Sequence, residues 1–176
     1  ANLFYATIED ILIFDYSGAG EAYFNWDEVT NYGLETELRV NDDWGSLMLA
    51  YSIYQNETND VPAMVTPDDD LLMGAPAHKF SFNGTYNITD ALTANLNGAW
   101  ISERYAPSKR GGMIERFNSD LLANAYLQYR KDNWSVGLGV RNVGDERYEY
   151  VQPFAGWQPP LPDKSREYYM KASITF

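Results

Sequence analysis

Apolar and polar residues alternate along most of this chain with a period of two. Leu92, Ala94, Leu96, Gly98 and Trp100 are interleaved with Thr93, Asn95, Asn97 and Ala99. Leu121, Ala123, Ala125, Leu127 and Tyr129 are interleaved with Leu122, Asn124, Tyr126 and Gln128. The same rhythm runs through Phe80, Phe82, Tyr86 and Ile88, through Leu47, Leu49, Tyr51 and Ile53, through Tyr32, Leu34, Leu38 and Val40, and through Trp134, Val136, Leu138 and Val140. Successive side chains of a strand point to opposite faces, so each segment predicts a strand with one apolar and one wet face. The last segment keeps this pattern to its end, with Tyr168, Met170, Ala172, Ile174 and Phe176 set against Tyr169, Lys171, Ser173 and Thr175. Leu3 to Phe14 adds a further strand, apolar on both faces in places, whose pleat the pattern leaves open. About eight strands result.

Short and long connections alternate between them. Asn41-Asp42-Asp43, Asn87 to Asp90 and Arg130 to Asn133 are tight and rich in Asn and Asp, which suit turns. Asp15 to Glu21, Asn56 to Pro76, Ala106 to Glu115 and Gly144 to Lys164 are long. Outer-membrane barrels sort their connections this way, with short periplasmic turns and longer extracellular loops. A β-sandwich, the alternative, has no reason to do so. The expected fold is all-β: an antiparallel transmembrane β-barrel wall over residues 1–176, in the bacterial outer membrane. Trp44, Tyr129, Trp134 and Phe176 then gather at the turn end, and Trp100, Tyr105, Tyr54 and Tyr168 near the loop end, as the two aromatic girdles of such a barrel. The inward face carries Glu35, Glu37, Arg39, Asn83, Asn95, Asn97, Asn124, Gln128, Arg141 and Lys171. A closed eight-stranded lumen holds such side chains only as a dense paired network, because unpaired buried charge is costly. A wide hydrated lumen takes them easily.

Composition narrows the function classes. The 176 residues are 45% apolar and 15% aromatic, with 14 Tyr and 5 Trp, residues that favour membrane–water interfaces. No apolar run approaches the roughly 18–20 residues of a spanning helix. A mean hydropathy of −0.44 does not count against a barrel, whose apolar residues alternate with polar ones. Cys is absent, which excludes disulfides and thiolate metal sites. A net charge of −12 argues against a nucleic-acid partner. The opening ANLFYATIED has neither the basic start nor the apolar core of a secretion signal.

Two stretches carry a family resemblance. Gly139-Val-Arg-Asn-Val-Gly-Asp-Glu-Arg-Tyr148, a loop, and the final Arg166-Glu-Tyr-Tyr-Met-Lys-Ala-Ser-Ile-Thr-Phe176 together resemble the end of TonB-dependent outer-membrane receptors. There a penultimate strand runs into an Asn-[Leu/Val]-[Phe/Gly]-Asp-x-x-Tyr segment, followed by a loop, an Arg and an aromatic-ended strand. Phe24-Asn25-Trp-Asp-Glu-Val-Thr-Asn-Tyr-Gly33-Leu-Glu35 looks like the family's Asn-x-Gly-x-x-x-x-Gly-x-Glu strand entry, with Asp27 where the first Gly belongs. The resemblance implies the C-terminal part of a barrel of about 22 strands with a plugged lumen. Its function would be to import a scarce nutrient, a ferric siderophore foremost, with movement of the plug driven by the TonB energy-coupling complex. It further implies plug contacts along the inward face at Glu35, Glu37, Arg39, Asn95, Asn97 and Arg141. Tyr168, Met170, Ile174 and Phe176 would form the signal read by the barrel-assembly machinery. Outer-membrane lipid and lipopolysaccharide are the expected surroundings, and the plug domain and remaining strands of the parent receptor the expected partners. The alternative is a stand-alone eight-stranded barrel with an anchoring or adhesive role, whose last strand must pair with Leu3 to Phe14 to close.

Candidate chemistry lies in the loops. Arg104, Lys109, Arg110 and Arg116 form a basic cluster suited to an anionic ligand. Phe154 and Trp157 sit on a Pro-rich segment, where exposed rings serve as ligand contacts. Catalysis has no support: His78 is the only His, and no Ser-His-Asp set or phosphate loop is present. Asp68-Asp69-Asp70 offers hard oxygens but lacks the spacing of a dedicated calcium loop. No metal, no cofactor and no enzymatic activity are expected.

Overall fold

Eight of the strands form one antiparallel meander. A computed structural model describes residues 1–15, 22–61, 64–68, 70–108, 113–152 and 159–176, with backbone alone for 13–15, 22, 24, 26 and 27. In chain order the wall strands are β1 (Asn2–Asp15), β2 (Ala22–Asp42), β3 (Gly45–Asn59), β4 (His78–Asn87), β5 (Leu92–Ile101), β8 (Asp120–Lys131), β9 (Trp134–Arg141) and β12 (Glu167–Ile174). Each pairs only with its predecessor and successor in that series. Two small hairpins stand in the loops: β6 (Arg104–Pro107) with β7 (Ile114–Phe117), and β10 (Glu149–Tyr150) with β11 (Leu161–Pro162). There is no α-helix among the described residues.

The register keeps each face pure, because directly opposite residues share a face. Leu34 faces Ile53, Leu49 faces Phe82, Leu96 faces Ala125 and Leu138 faces Met170 on the apolar side. Glu35 faces Ser52, Asn83 faces Asn97, Asn97 faces Asn124 and Gly137 faces Lys171 on the polar side. The pleat of β1 is now assigned: Leu3 and Tyr5 join Leu34 and Tyr32 on the apolar side, and Phe4 lies over Gly33.

The short connections lie at one end of the sheet. β2 and β3 are joined by Asp43-Trp44, closed by Gly45 at φ 139°, where a Cβ would strike the Thr85 carbonyl. Asp132-Asn133 joins β8 to β9, with Asp132 at φ 48°, a conformation Asp tolerates better than most residues. The Thr89 hydroxyl accepts from Ala91 N (3.2 Å) and Leu92 N (3.0 Å) to close β4–β5.

One expectation changes, and one alternative is not met. β2 begins at Ala22, ten residues before its clear alternation, so the β1–β2 hairpin rises beyond the other wall strands. The closure required of a complete eight-stranded barrel is also not formed. Among the described residues β1 and β12 are the two edges of an open sheet, a sector of barrel wall.

The driest side chains lie towards the loop end, in the loops and, with Val29 and Thr30, in the part of β2 nearest them. Val61, Leu71, Met73 and Ala106 are at most 5% exposed. Gly74 N donates to Tyr105 O at 2.8 Å, and Asn56 N to Asp70 O at 3.1 Å, tying the β3–β4 loop to β6 and to the end of β3. The physics requires this division. One wall face is suited to lipid and the other to water, whereas loops beyond the membrane must bury their apolar side chains against one another.

Candidate functional site

The polar face is an ordered surface. Glu35, Glu37, Arg39, Asn95, Asn97 and Arg141 all lie on it by register. Arg39 Nε meets Glu37 Oε1 at 2.6 Å, and its NH2 meets Oε2 at 3.0 Å, in a forked but exposed pair. Glu35, Glu37, Ser52, Lys79 and Ser81 line a polar hollow of about 510 Å³. Across the middle of the wall runs a row of amides. Asn124 Nδ2 donates to Asn97 Oδ1 (3.0 Å), Asn97 Nδ2 to Asn95 Oδ1 (2.9 Å), and Asn95 Nδ2 to Asn83 Oδ1 (2.9 Å). Asn142 N closes the series by donating to Asn124 Oδ1 at 3.0 Å.

Towards β12, two tyrosines cover two glycines. A Cβ on Gly137 would collide with the Tyr126 ring, and one on Gly139 with the Tyr169 ring. The two rings stack at 5.9 Å and 7°, with the Arg141 guanidinium 4.8 Å above Tyr169 and 3.3 Å from Glu167.

The Asn142–Tyr148 motif has a local purpose. Asn142, at φ 52°, donates from Nδ2 to Glu146 O (2.9 Å) and Lys164 O (3.2 Å), and its Oδ1 accepts from Glu146 N (2.8 Å). Asp145 Oδ1 accepts from Arg166 N at 2.9 Å. The motif thus fastens both roots of the β9–β12 loop to each other and to the amide row.

The two described loop cations, Arg104 and Arg116, have different settings. Arg104 is buried: its NH2 lies 2.6 Å from Asp120 Oδ2, its NH1 donates to Tyr148 OH at 2.8 Å, and its guanidinium sits 4.7 Å over the Tyr148 ring. It is a structural cation that binds β6, β8 and the β9–β12 loop together, and it is withdrawn from the ligand set. Arg116 is exposed and pairs with Glu103 at 3.0 Å. A hydrogen bond from its own backbone N–H and the Arg116 guanidinium hold the Glu103 carboxyl below the usual range. Lys109, Arg110, Phe154, Trp157 and Asp69 lie outside the described residues.

Other expected positions are also placed. His78 Nδ1 is 2.8 Å from Tyr51 OH, with the rings stacked on the apolar face. Asp68 Oδ1 caps a local turn by accepting from Asp70 N. No three acidic or His side chains gather to hold a metal ion among the described residues. Trp44 with Tyr86, and Tyr129 with Trp134, pair at the turn end. Trp100 and Tyr168 face outward near the loop end, but Tyr54 lies on the opposite face from them, half-buried under the β3–β4 loop. Tyr168, Met170 and Ile174 point outward beside Val140, Leu138 and Trp134. Asp120 and Tyr148, the partners of Arg104, escaped the sequence reading because they stand 16 and 44 residues away.

An antiparallel wall with one apolar face, one hydrated face and its long loops at one end defines an outer-membrane β-barrel protein. The family model described as TonB dependent receptor-like, beta-barrel, matches residues 1–143. The chain belongs to that family. No curated protein matches it by sequence. Among solved structures it is similar to the ferric-catecholate import receptor Fiu of E. coli K12 in closed form, at 20% identity and TM-score 0.77, over 99% of this chain and 24% of that one. The pyoverdine receptor FpvA of Pseudomonas aeruginosa, bound to pyoverdine, matches at 17% and 0.76, over 99% and 26%. The FrpB iron transporter of Neisseria meningitidis matches at 18% and 0.66, over 99% and 27%. The chain therefore spans about a quarter of the length of these structures, and at such identities the likeness is one of fold.

Proposed function

We propose that the chain forms the C-terminal sector of the barrel in a receptor that imports a scarce nutrient, a ferric siderophore complex. The observation that carries this reading is the wall itself: a continuous hydrated face with ordered amides, beneath loops gathered at one end. Family membership and similarity in fold to a ferric-catecholate import receptor and an iron transporter support it. The turns face the periplasm and the four long loops face outward. The inward face, with Glu35, Glu37, Arg39, Asn95, Asn97 and Arg141, packs against a plug domain, and the TonB complex moves that plug. Loop groups supply ligand contacts: the exposed Arg116, with Lys109, Arg110, Phe154 and Trp157. β12 with Phe176 is read by the barrel-assembly machinery. Lipopolysaccharide surrounds the loop end.

The test is binding of ferric siderophores to the native polypeptide. Replacing Lys109, Arg110 and Arg116 together with Ala is expected to weaken an anionic ferric complex by about tenfold to a hundredfold, one to two charge-assisted hydrogen bonds. Unchanged affinity removes these residues from the site. Absence of binding to any ferric complex, with a folded barrel, removes the iron reading.

A further inference from the structure

The apolar face of the wall is not evenly filled. A furrow of about 990 Å³ crosses it from β3 to β12. It follows a row of cross-strand partners: Leu47, Gly84, Leu96, Ala125, Val140 and Tyr168. Its lining alternates small Gly84, Ala94 and Ala125 with the larger Leu96 and Leu127.

Gly84 is the informative residue. Gly33, Gly98, Gly137 and Gly139 each lie under an aromatic ring that a Cβ would strike. A Cβ on Gly84 would meet only Leu47 Cδ1 at 3.6 Å and backbone oxygens at 3.9 Å, all ordinary contacts. Nor does Gly84 have a positive φ. Neither the backbone nor the packing of this chain requires glycine there.

We propose that this furrow seats the acyl chain of one phospholipid whose headgroup carries a primary ammonium. The furrow crosses five strand spacings of about 4.8 Å, roughly 24 Å in all. With strands tilted about 45°, it climbs roughly 17 Å, close to half of a hydrocarbon core of about 30 Å. That is the depth of one leaflet. Its lower end is one or two residues above the turns on β3 and β4, and its upper end is well up β12. At the lower end the Trp44 and Tyr86 rings stand 6.5 Å apart, an amphipathic pair suited to headgroup level. The carboxylates nearest this pair are Asp42, at the end of β2, and Asp43, in the β2–β3 turn; Asp90, in the next turn, has Arg130 beside it, whose backbone N–H donates to Ala91 O at 2.8 Å. The cations of the same rim, Arg130 and Lys131, lie on β8, two strands from Tyr86. Local charge therefore favours an ammonium over an anionic headgroup.

The assignment rests on the periplasmic placement of the turns, since phospholipid occupies the periplasmic leaflet of a bacterial outer membrane. The native polypeptide, extracted from outer membranes in mild detergent, is weighed by native mass spectrometry. Gly84→Leu fills the furrow, and Ala172→Leu, on the same face outside it, is the control; heat-modifiable gel migration verifies folding of both. The expected result is one fewer phosphatidylethanolamine retained by Gly84→Leu, a loss of at least fivefold in the occupied fraction, with Ala172→Leu unchanged. Asp43→Lys is expected to shift retention towards phosphatidylglycerol. Retention insensitive to Gly84→Leu in a folded barrel, or loss of a phosphatidylglycerol from it, overturns the assignment. Loss of lipopolysaccharide instead overturns the placement of the turns and the phospholipid with it, while ferric-complex binding would be untouched.

Discussion

Arg104 shows how far a residue's position in the chain and its role can part. From the sequence it belongs with Lys109, Arg110 and Arg116 as a cation near a loop tip, and its type suits an anionic ligand. The fold gives it to Asp120 and Tyr148, because the loop crown buries it and a buried charge without a partner is costly. Arg104→Ala is expected to destabilise the crown by about 3–5 kcal/mol, since it strands Asp120. Arg104→Lys keeps the charge but loses the fork, and should recover only part of this. Limited proteolysis of the β5–β8 and β9–β12 loops measures both, and equal protection of wild type and Arg104→Ala would refute the role. Glu103 has a different dependence. Its pKa is lowered in the fold, so the stability from its contact with Arg116 is present above the ordinary carboxylate value and lost as pH falls through the lower, folded one. A spin label at Met113 should stay immobile down to the ordinary value and gain mobility only below it. Because the pair is exposed, the energy involved is small.

The wall strands were legible because a strand between lipid and water must alternate, and β3, β4, β5, β8, β9 and β12 do so almost without exception. The first half of β2 was not legible. From Ala22 to Glu28 the hairpin stands beyond β3, where both faces can be wet and selection for alternation lapses. The β6–β7 and β10–β11 hairpins are four and two residues per strand, too short to show a period. The loop core of Val61, Leu71 and Met73 reads in sequence as scattered apolar residues between prolines. Glycine positions separate in the same physical terms. Gly137→Ala forces its new methyl into the Tyr126 ring and is expected to cost about 1–3 kcal/mol by overpacking. Gly84→Ala meets open space and is expected to be neutral or slightly stabilising. Urea midpoints of the two variants test the contrast, and a tolerated Gly137→Ala would mean that Tyr126 can leave its glycine at no cost.

At the scale of the molecule, the two ends of the sheet differ in charge as well as in loop length. Most of the net charge of −12 belongs to the loop end, where Glu9, Asp10, Glu28, Glu57, Asp60, Asp68, Asp70, Glu115 and Glu146 outnumber the loop cations. The chain has no Cys, so single cysteines report sidedness cleanly. Met113→Cys, in the β5–β8 loop, is expected to react with an impermeant maleimide on intact cells. Asp90→Cys, in the β4–β5 turn, should react only after the outer membrane is opened. The reverse pattern would invert the topology.

The strand order has one more consequence, for the way the wall forms. Because each wall strand pairs only with its neighbours in the series, the sheet is a chain of hairpins, and its cooperativity is close to one-dimensional. Closing a short loop costs little entropy, and each doubling of loop length adds roughly 0.6 kcal/mol. The β2–β3 and β8–β9 hairpins, joined through two residues each, should therefore zip first. The connections β3–β4, β5–β8 and β9–β12 should dock afterwards, with the loop crown as the last part to dry.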